Sequence, residues 1–379
     1  MLSATNRKFL FLFLLIISFI SAASGTYVPT VDINTPITIK FDKSTLPAKS
    51  YIWNGVINGY NINDGSSIGT SWFTCKSATN TSTGACSRQS LWSGQNQVSK
   101  ISLRFIEKRS KLAMNISLNG QTYPCQFILT GECKHNGWFG EYVRIQDGVR
   151  PQGHNTKKLY IYFTDSDLAN IPAGGIWEGK LILEQRAWVA GAILAHWTAN
   201  ITLDVTDRNN GAIYLPAFGK ADALVDLNLR TRPLSTAPGG EVSGSTVIDT
   251  CLYDGYNSNN AWLQVTLSDR LPAYGRAADI FSVVKTGTNG SLARDRVDYR
   301  VAMDYNGSPV TMENGKVRTL SGVNTALIRP VALPGFSVPV VCTPAPLTLT
   351  VQPFAKASKS AGRYSGTLRV NLAAQTLAP

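Results

Sequence analysis

The stretch ISLRFIEKRSKLAMNISLNG, residues 101–120, decides the fold class. Ile101, Leu103 and Phe105 alternate with Ser102 and Arg104, and Met114, Ile116 and Leu118 alternate with Asn115 and Ser117. A period of two puts every second side chain on one face, which is the mark of a half-buried strand. Asn119-Gly120 ends the second run, and an Asn-Gly pair suits a tight hairpin whose turn residues both take positive φ.

The pattern recurs on both sides of this stretch. Leu159, Ile161 and Phe163 form one run, Leu181 with Leu183 another, and Ile201, Leu203 and Val205 a third. Further on come Leu263-Val265-Leu267, then Val301-Met303-Tyr305 leading into Asn306-Gly307, then Leu347-Leu349-Val351. A last run reads from Tyr364 to Leu372. No amphipathic helix longer than three turns is legible. Short strands divided by turn signals argue for an all-β chain of tandem β-sandwiches.

The chain has 379 residues, enough for two domains of ordinary size. A boundary is visible where the run ending at Val205 meets the turn-prone Asp207-Arg-Asn-Asn-Gly211. The expected organisation is a first domain over 24–207, a linker at 208–211 and a second domain over 212–379. Residues 1–23 read as a cleaved signal peptide: Arg7 and Lys8 precede the apolar run Phe9–Ile20, and Ser21, Ala22 and Ala23 supply small residues at the cut. The run is short for the ~20 residues a membrane span needs.

An exported chain with six cysteines implies a disulfide framework. Spacing favours Cys75–Cys86 and Cys125–Cys133 as local loops and leaves Cys251–Cys342 as a long bridge. No CxxC pair exists and the three histidines are far apart in sequence, so neither metal nor cofactor is expected. Net charge is +12. Outside the cytoplasm that points to acidic glycans or head groups rather than nucleic acid.

Catalytic patterns are weak. Gly65-Ser66-Ser67-Ile68-Gly69 matches the GxSxG nucleophile string, but that elbow needs a strand, turn and helix over a parallel sheet, and here it lies in a polar loop. His135, His154 and His196 sit in unrelated settings. Asp165 and Asp167 read as a turn after the Phe163 strand, and Asp254 to Asn260 as a solvated loop without an EF-hand register. Lys108, Arg109 and Lys111 read as a solvated strand end. Sequons at Asn80, Asn115, Asn200, Asn289 and Asn306 decide little. A secreted β-sandwich hydrolase is the alternative to a binding protein, and an outer-membrane barrel is disfavoured by the cysteines and the linker.

Several strings are similar to one family. They are Phe105-Ile-Glu-Lys-Arg-Ser110 and Ile171-Pro-Ala-Gly-Gly-Ile-Trp177 in the first domain. In the second they are Asp222-Ala-Leu-Val-Asp-Leu-Asn-Leu-Arg230, Cys251-Leu-Tyr-Asp-Gly-Tyr256, Ser337-Val-Pro-Val-Val-Cys342 and Gly362 to Leu372. With the order of the cysteines, they resemble the minor tip adhesins of class 5, alternate-chaperone fimbriae, the CfaE/CblD family. The resemblance implies a non-enzymatic adhesin domain followed by an immunoglobulin-like pilin domain lacking its last strand. A neighbouring major pilin would donate that strand. A periplasmic chaperone would cover the groove beforehand, and an outer-membrane usher would export the protein to the fimbrial tip. The adhesin domain starts almost at the cleavage site, so no donor extension is expected on this chain.

The resemblance also implies a receptor patch at the pole of the first domain, facing a host glycan or glycoprotein. Relatives carry adjacent arginines after the Gly-Gly-Ile-Trp motif. Here that region reads Leu183-Glu-Gln-Arg-Ala-Trp-Val189, so Arg186 is carried over with a shift of register. A further family arginine corresponds to Thr70. Trp72 and Trp188 are candidates for stacking on a sugar face.

Overall fold

In the computed structural model, which describes residues 27–62, 68–91, 96–128, 132–134, 142–148, 155–188, 191–219, 222–232 and 234–374, the first domain is one ten-stranded sheet folded over on itself. Its principal strands are β1 (Ile33–Asp42), β2 (Lys49–Ile57), β3 (Trp72–Cys75), β4 (Ser99–Glu107), β5 (Ala113–Phe127), β6 (Thr156–Thr164), β7 (Gly175–Arg186) and β8 (Ile193–Thr206). They lie in the order β1-β8-β7-β4-β5-β6-β2, with β3 on β7. β4 meets β7 only at Trp177–Glu107 and Glu178–Ile106. The sheet therefore folds there into two layers that enclose a common core.

That core is the sequence alternation made physical. Ile101, Leu103, Phe105, Leu118, Leu159, Ile161, Phe163, Leu181 and Leu203 are fully buried, together with Trp177. β1 runs parallel to β8, and Trp53 Nε1 donates to Thr35 Oγ1 at 3.0 Å, tying β2 to β1. Among the described residues the only α-helix is Asp165–Leu168, and Asp167 and Thr164 form its capping box. The carboxylate pair is thus structural. The signal peptide and the residues Gly65–Ser67, His135 and His154 lie outside the described residues.

The second domain has its own core around Leu263, Val265, Phe281, Val301, Met303, Leu347 and Leu349. Its main strands are β9 (Ala212–Tyr214), β10 (Glu241–Ile248), β11 (Cys251–Tyr253), β12 (Trp262–Ser268), β13 (Phe281–Lys285), β14 (Arg296–Tyr305), β15 (Val340–Pro344), β16 (Leu347–Ala355), β17 (Tyr364–Ser365) and β18 (Arg369–Ala374). One layer contains the run β10-β16-β14-β13-β17; β12 and β18 pair in another, and β9, β11 and β15 form a third sheet. Asn306 and Gly307 both take positive φ, 55° and 78°, in the hairpin after β14, as their chemistry requires. All three disulfides pair as the spacing favours: Cys75–Cys86, Cys125–Cys133 and Cys251–Cys342.

Two strand expectations need correction. Asn119-Gly120 is not a turn, because β5 runs straight through it. Gly120 serves packing there: a Cβ would sit 2.9 Å from Ile145 Cγ2. The run from Tyr364 to Leu372 is not one strand. β17 pairs with β13 while β18 pairs with β12, so the chain crosses between sheets at residues 366–368.

The larger correction concerns the junction. Asp254–Asn260 is not a solvated loop: Asp254, Asn257, Ser258 and Asn260 are buried against the first domain or its own core. Asn257 Nδ2 donates to Gly174 O at 2.8 Å and its Oδ1 accepts from Val341 N–H at 2.9 Å. Gly255 O accepts from Asp207 N–H at 3.0 Å. Gly174 must be glycine because a Cβ would meet Gly255 O at 2.1 Å. Arg109 is no solvated strand end either, since its Nη2 donates to Val323 O and Ala326 O at 3.2 and 2.9 Å. Beneath these contacts Glu107 is wholly buried. Its Oε2 accepts from Arg109 N–H, Ser110 N–H and Ser110 Oγ, and its Oε1 from Ile176 N–H and Asn259 Nδ2.

Glu107→Ala strands these donors without an acceptor. It is expected to lower stability by at least ~3 kcal/mol and to speed proteolysis at residues 207–211, whereas Glu107→Gln loses less; chemical denaturation and limited trypsinolysis check both. Replacing Cys251 and Cys342 by Ser opens a loop of 91 residues and is expected to cost roughly 4–5 kcal/mol on the chain-entropy model, read from the denaturant midpoint.

Candidate functional site

The pole opposite the junction is built by the β7–β8 hairpin, β3 and the turn Val143–Gly148. β3 lies antiparallel to β7 with Trp72 directly opposite Arg186, and Phe73 N–H donates to Ile145 O at 2.7 Å. Trp188 sits at the hairpin tip with its ring over Gly148, where a Cβ would lie 1.7 Å from Trp188 Cε3. The structure thus brings Thr70, Trp72, Arg186 and Trp188 into one neighbourhood.

Their exposures differ. Thr70 and Trp72 are buried, at 3% and 7%, and so offer no face to a ligand. Arg186 and Trp188 are half-buried. The guanidinium is already engaged: Nε and Nη2 donate to Glu184 Oε2 at 2.9 and 2.6 Å, and Nη1 donates to Gly191 O at 2.7 Å. Arg88 Nη2 approaches the same Glu184 oxygen at 4.0 Å. Glu184 stands in the motif but carried no signal of its own, because its role depends on the strand pairing.

Behind Trp188 lies a buried ionic group that the sequence pattern did not mark. Lys157 is 3% exposed and donates from Nζ to Asp147 O at 2.7 Å. Burial pushes its ammonium down to about 7, partly opposed by the Asp147 charge. Burial likewise pushes the Asp147 carboxyl up to about 6, against the pull of Arg144, whose Nε is 3.8 Å away, and of Lys157. His196 is elsewhere, on β8, with Nδ1 3.6 Å from Asp32.

The second candidate site is a groove of about 580 Å³ in the second domain. One wall is the extended segment 222–227 and the other is Gly366–Val370; Ile248, Val283, Tyr299, Leu347 and Leu349 lie between them. Val225 and Leu227 turn inward while Leu224 is 95% exposed, the alternation of a strand. Yet residues 222–228 carry no strand pairing, and β18 pairs with β12 on one side only. Two strand-like edges with unused backbone groups therefore face each other across an apolar trough.

Both halves of the chain match family models. Residues 21–208 match the first domain of the CFA/I fimbrial protein CfaE, and residues 211–376 match its second domain. The chain belongs to the CfaE family of CFA/I fimbrial proteins. A curated relative, the CFA/I fimbrial protein CfaE of Escherichia coli, is 28% identical over 314 residues, covering 80% of this chain and 81% of the relative. The crystal structure of CfaE, the adhesive subunit of CFA/I fimbria of enterotoxigenic E. coli, superposes with a TM-score of 0.76 at 24% identity, covering 91% of this chain and 92% of that one. A chaperone–tip adhesin complex from CFA/I fimbriae biogenesis gives a TM-score of 0.66 at 24% identity, over 91% and 97% of the two chains. At such identities the structural likeness speaks for the fold, while membership of the CfaE family rests on the two domain matches.

The buried ionic group at the pole gives a pH prediction. Between about 7 and 10.5 the unfolded chain holds the Lys157 proton and the folded chain does not. Stability contributed by this residue therefore rises with pH across that window. Lys157→Met is expected to remove the rise and to stabilise the protein at pH 7, as urea titrations at pH 7 and pH 9.5 will read. Asp147 acts in the other sense, with stability increasing as pH falls from about 6 towards 3.8.

Proposed function

We propose that this chain is a minor fimbrial subunit at the pilus tip. It binds a host-surface glycan or glycoprotein with the pole of its first domain and accepts a donor strand from the neighbouring major pilin in its second. The observation that carries the reading is the trough between residues 222–227 and 366–370, apolar along its floor and flanked by unpaired backbone. An open sheet edge over an apolar groove is an aggregation hazard. An inserted strand satisfies the backbone groups with main-chain hydrogen bonds and fills the pockets with alternate side chains.

A periplasmic chaperone holds the groove before assembly and an outer-membrane usher exports the protein, so the chain starts the pilus and ends at the cell surface. The domain limits in this reading are 24–207 and 212–379, and the presence of one core on each side of residues 208–211 supports them. The relatives named above are adhesive fimbrial proteins, which supports a non-enzymatic role over a secreted hydrolase. At the pole, Arg186 supplies planar donors and Trp188 an aromatic face, with Trp72 and Thr70 supporting them.

The groove is tested by fusing the N-terminal segment of the cognate major pilin to the C-terminus of residues 211–379. The fragment alone is expected to be poorly soluble and the fusion to melt at a markedly higher temperature; equal melting of two soluble monomers refutes strand acceptance. At the pole, Arg186→Ala together with Glu184→Gln removes the guanidinium without orphaning the buried carboxylate. Loss of a charge-assisted contact is worth on the order of 1.5–3 kcal/mol, a roughly ten- to hundredfold drop in affinity. Cell binding by assembled fimbriae should fall accordingly, while the disulfides and the quantity of pili stay unchanged.

A further inference from the structure

The outer face of the β2–β6–β5 layer is unusual in what it displays. β6 sends Leu159, Ile161 and Phe163 into the core, so Tyr160 and Tyr162 fall on the opposite face. Tyr51 of β2 lies directly across from Tyr162, with ring centroids 5.4 Å apart. Tyr142 stands 5.4 Å from Tyr160 and 5.5 Å from Tyr123 of β5. Tyr160 itself leans over Gly55, whose positive φ of 70° and missing side chain leave room for the ring. The result is one continuous stripe of five tyrosines down the side of the first domain, from beside Arg144 towards Lys49.

We propose that this stripe is a second binding surface, distinct from the Arg186 pole, for an anionic oligosaccharide chain. Tyr51, Tyr123, Tyr142 and Tyr160 are half-buried and open to solvent, while Tyr162 is buried and braces them from within. Tyrosine supplies rigid amphipathic contact area with little rotamer entropy to lose. A pyranose has the matching character, with apolar C–H faces for the rings and hydroxyls for the exposed phenols, while Tyr162 Oη donates to Gln121 Oε1 at 3.2 Å and is held in place. Burial among its neighbours holds the Tyr160 hydroxyl up at about 12, so it remains a neutral donor at physiological pH. Charge selects among glycans. Lys49 Nζ lies 4.9 Å from the Tyr162 ring centroid, and Lys158, on the same face of β6 and opposite Tyr123, stands at the other end. Of the two carboxylates at the Lys49 end, Asp167 is buried and committed to Asn119, Thr164 and Lys100, and Asp165, exposed beyond the end of β6, accepts from Ser166 N–H. The stripe therefore meets its ligand with cations at both ends, complementary to a chain bearing carboxylates or sulfates. From Lys158 to Thr164 the strand covers roughly 20 Å, several sugar rings in extent.

The test titrates the full exported chain with a chondroitin sulfate hexasaccharide, with neutral maltohexaose and with poly-glutamate, following tyrosine fluorescence. Binding of the sulfated hexasaccharide alone is expected. It should weaken about tenfold or more in Tyr160→Ala, equivalent to ~1.4 kcal/mol, and in Lys49→Glu, an exposed change that leaves the rings in place. Arg186→Ala combined with Glu184→Gln should leave it intact, which separates this surface from the pole. Equal binding of maltohexaose removes the charge argument, and equal binding of poly-glutamate removes the sugar. Unchanged affinity in Lys49→Glu and folded Tyr160→Ala, or self-association in place of glycan binding by sedimentation, overturns the proposal.

Discussion

The Glu107 carboxylate is the interaction on which the arrangement of the two domains depends. It is a fully buried anion, and such a charge is tolerated only when hydrogen bonds replace its lost hydration. Its donors come from three places: the turn after β4, the start of β7 and the Asn259 side chain of the second domain. The same few residues therefore end one strand, begin another and fasten the neighbouring domain. Around them Asn257 bridges Gly174 and Val341, and Tyr256 Oη donates to Asp204. Apolar packing of Ala173 with Tyr253, Val340 and the Cys251–Cys342 pair completes the joint.

This joint fixes how the two proposed sites sit relative to the strands that carry them. The pole carrying Arg186 and Trp188 lies at the far end of β7, and the trough lies in the domain that the joint secures. β7 runs without a break from the Glu107 contact at Ile176 to the Glu184–Arg186 pair. β8 pairs with β7 along this length and runs on through Asp207 into the second domain, so the pole and the joint are ends of the same pair of strands. The tyrosine stripe flanks this path on the other layer, where β6 and β2 carry it.

Much of the fold was legible because strand alternation is local. Ile101, Leu103 and Phe105, or Leu263, Val265 and Leu267, declare their faces without any partner. Glycine deceived where its reason was not local. Gly120 looked like a turn but is small because Ile145 and Ile161 press on it, while Gly307 looked the same and is a turn. The polar loop 254–260 read as solvated because composition reports polarity and not whether polar groups are paired. Asn257, Ser258 and Asn260 are buried because they replace water for one another and for the first domain.

The sequence by itself determined the all-β class, the two-domain organisation and the family, and its spacing favoured the cysteine pairs, since each rests on residue type and spacing along the chain. Only the tertiary structure decided the rest. It buried Thr70 and Trp72 while leaving Arg186 and Trp188 at the surface, paired Arg186 with Glu184, and aligned five tyrosines from four separated segments. It also split the last alternating run between two sheets and so opened the trough. These outcomes turn on which strands become neighbours and in what register, and pairing between distant strands is fixed by the whole core rather than by any one segment.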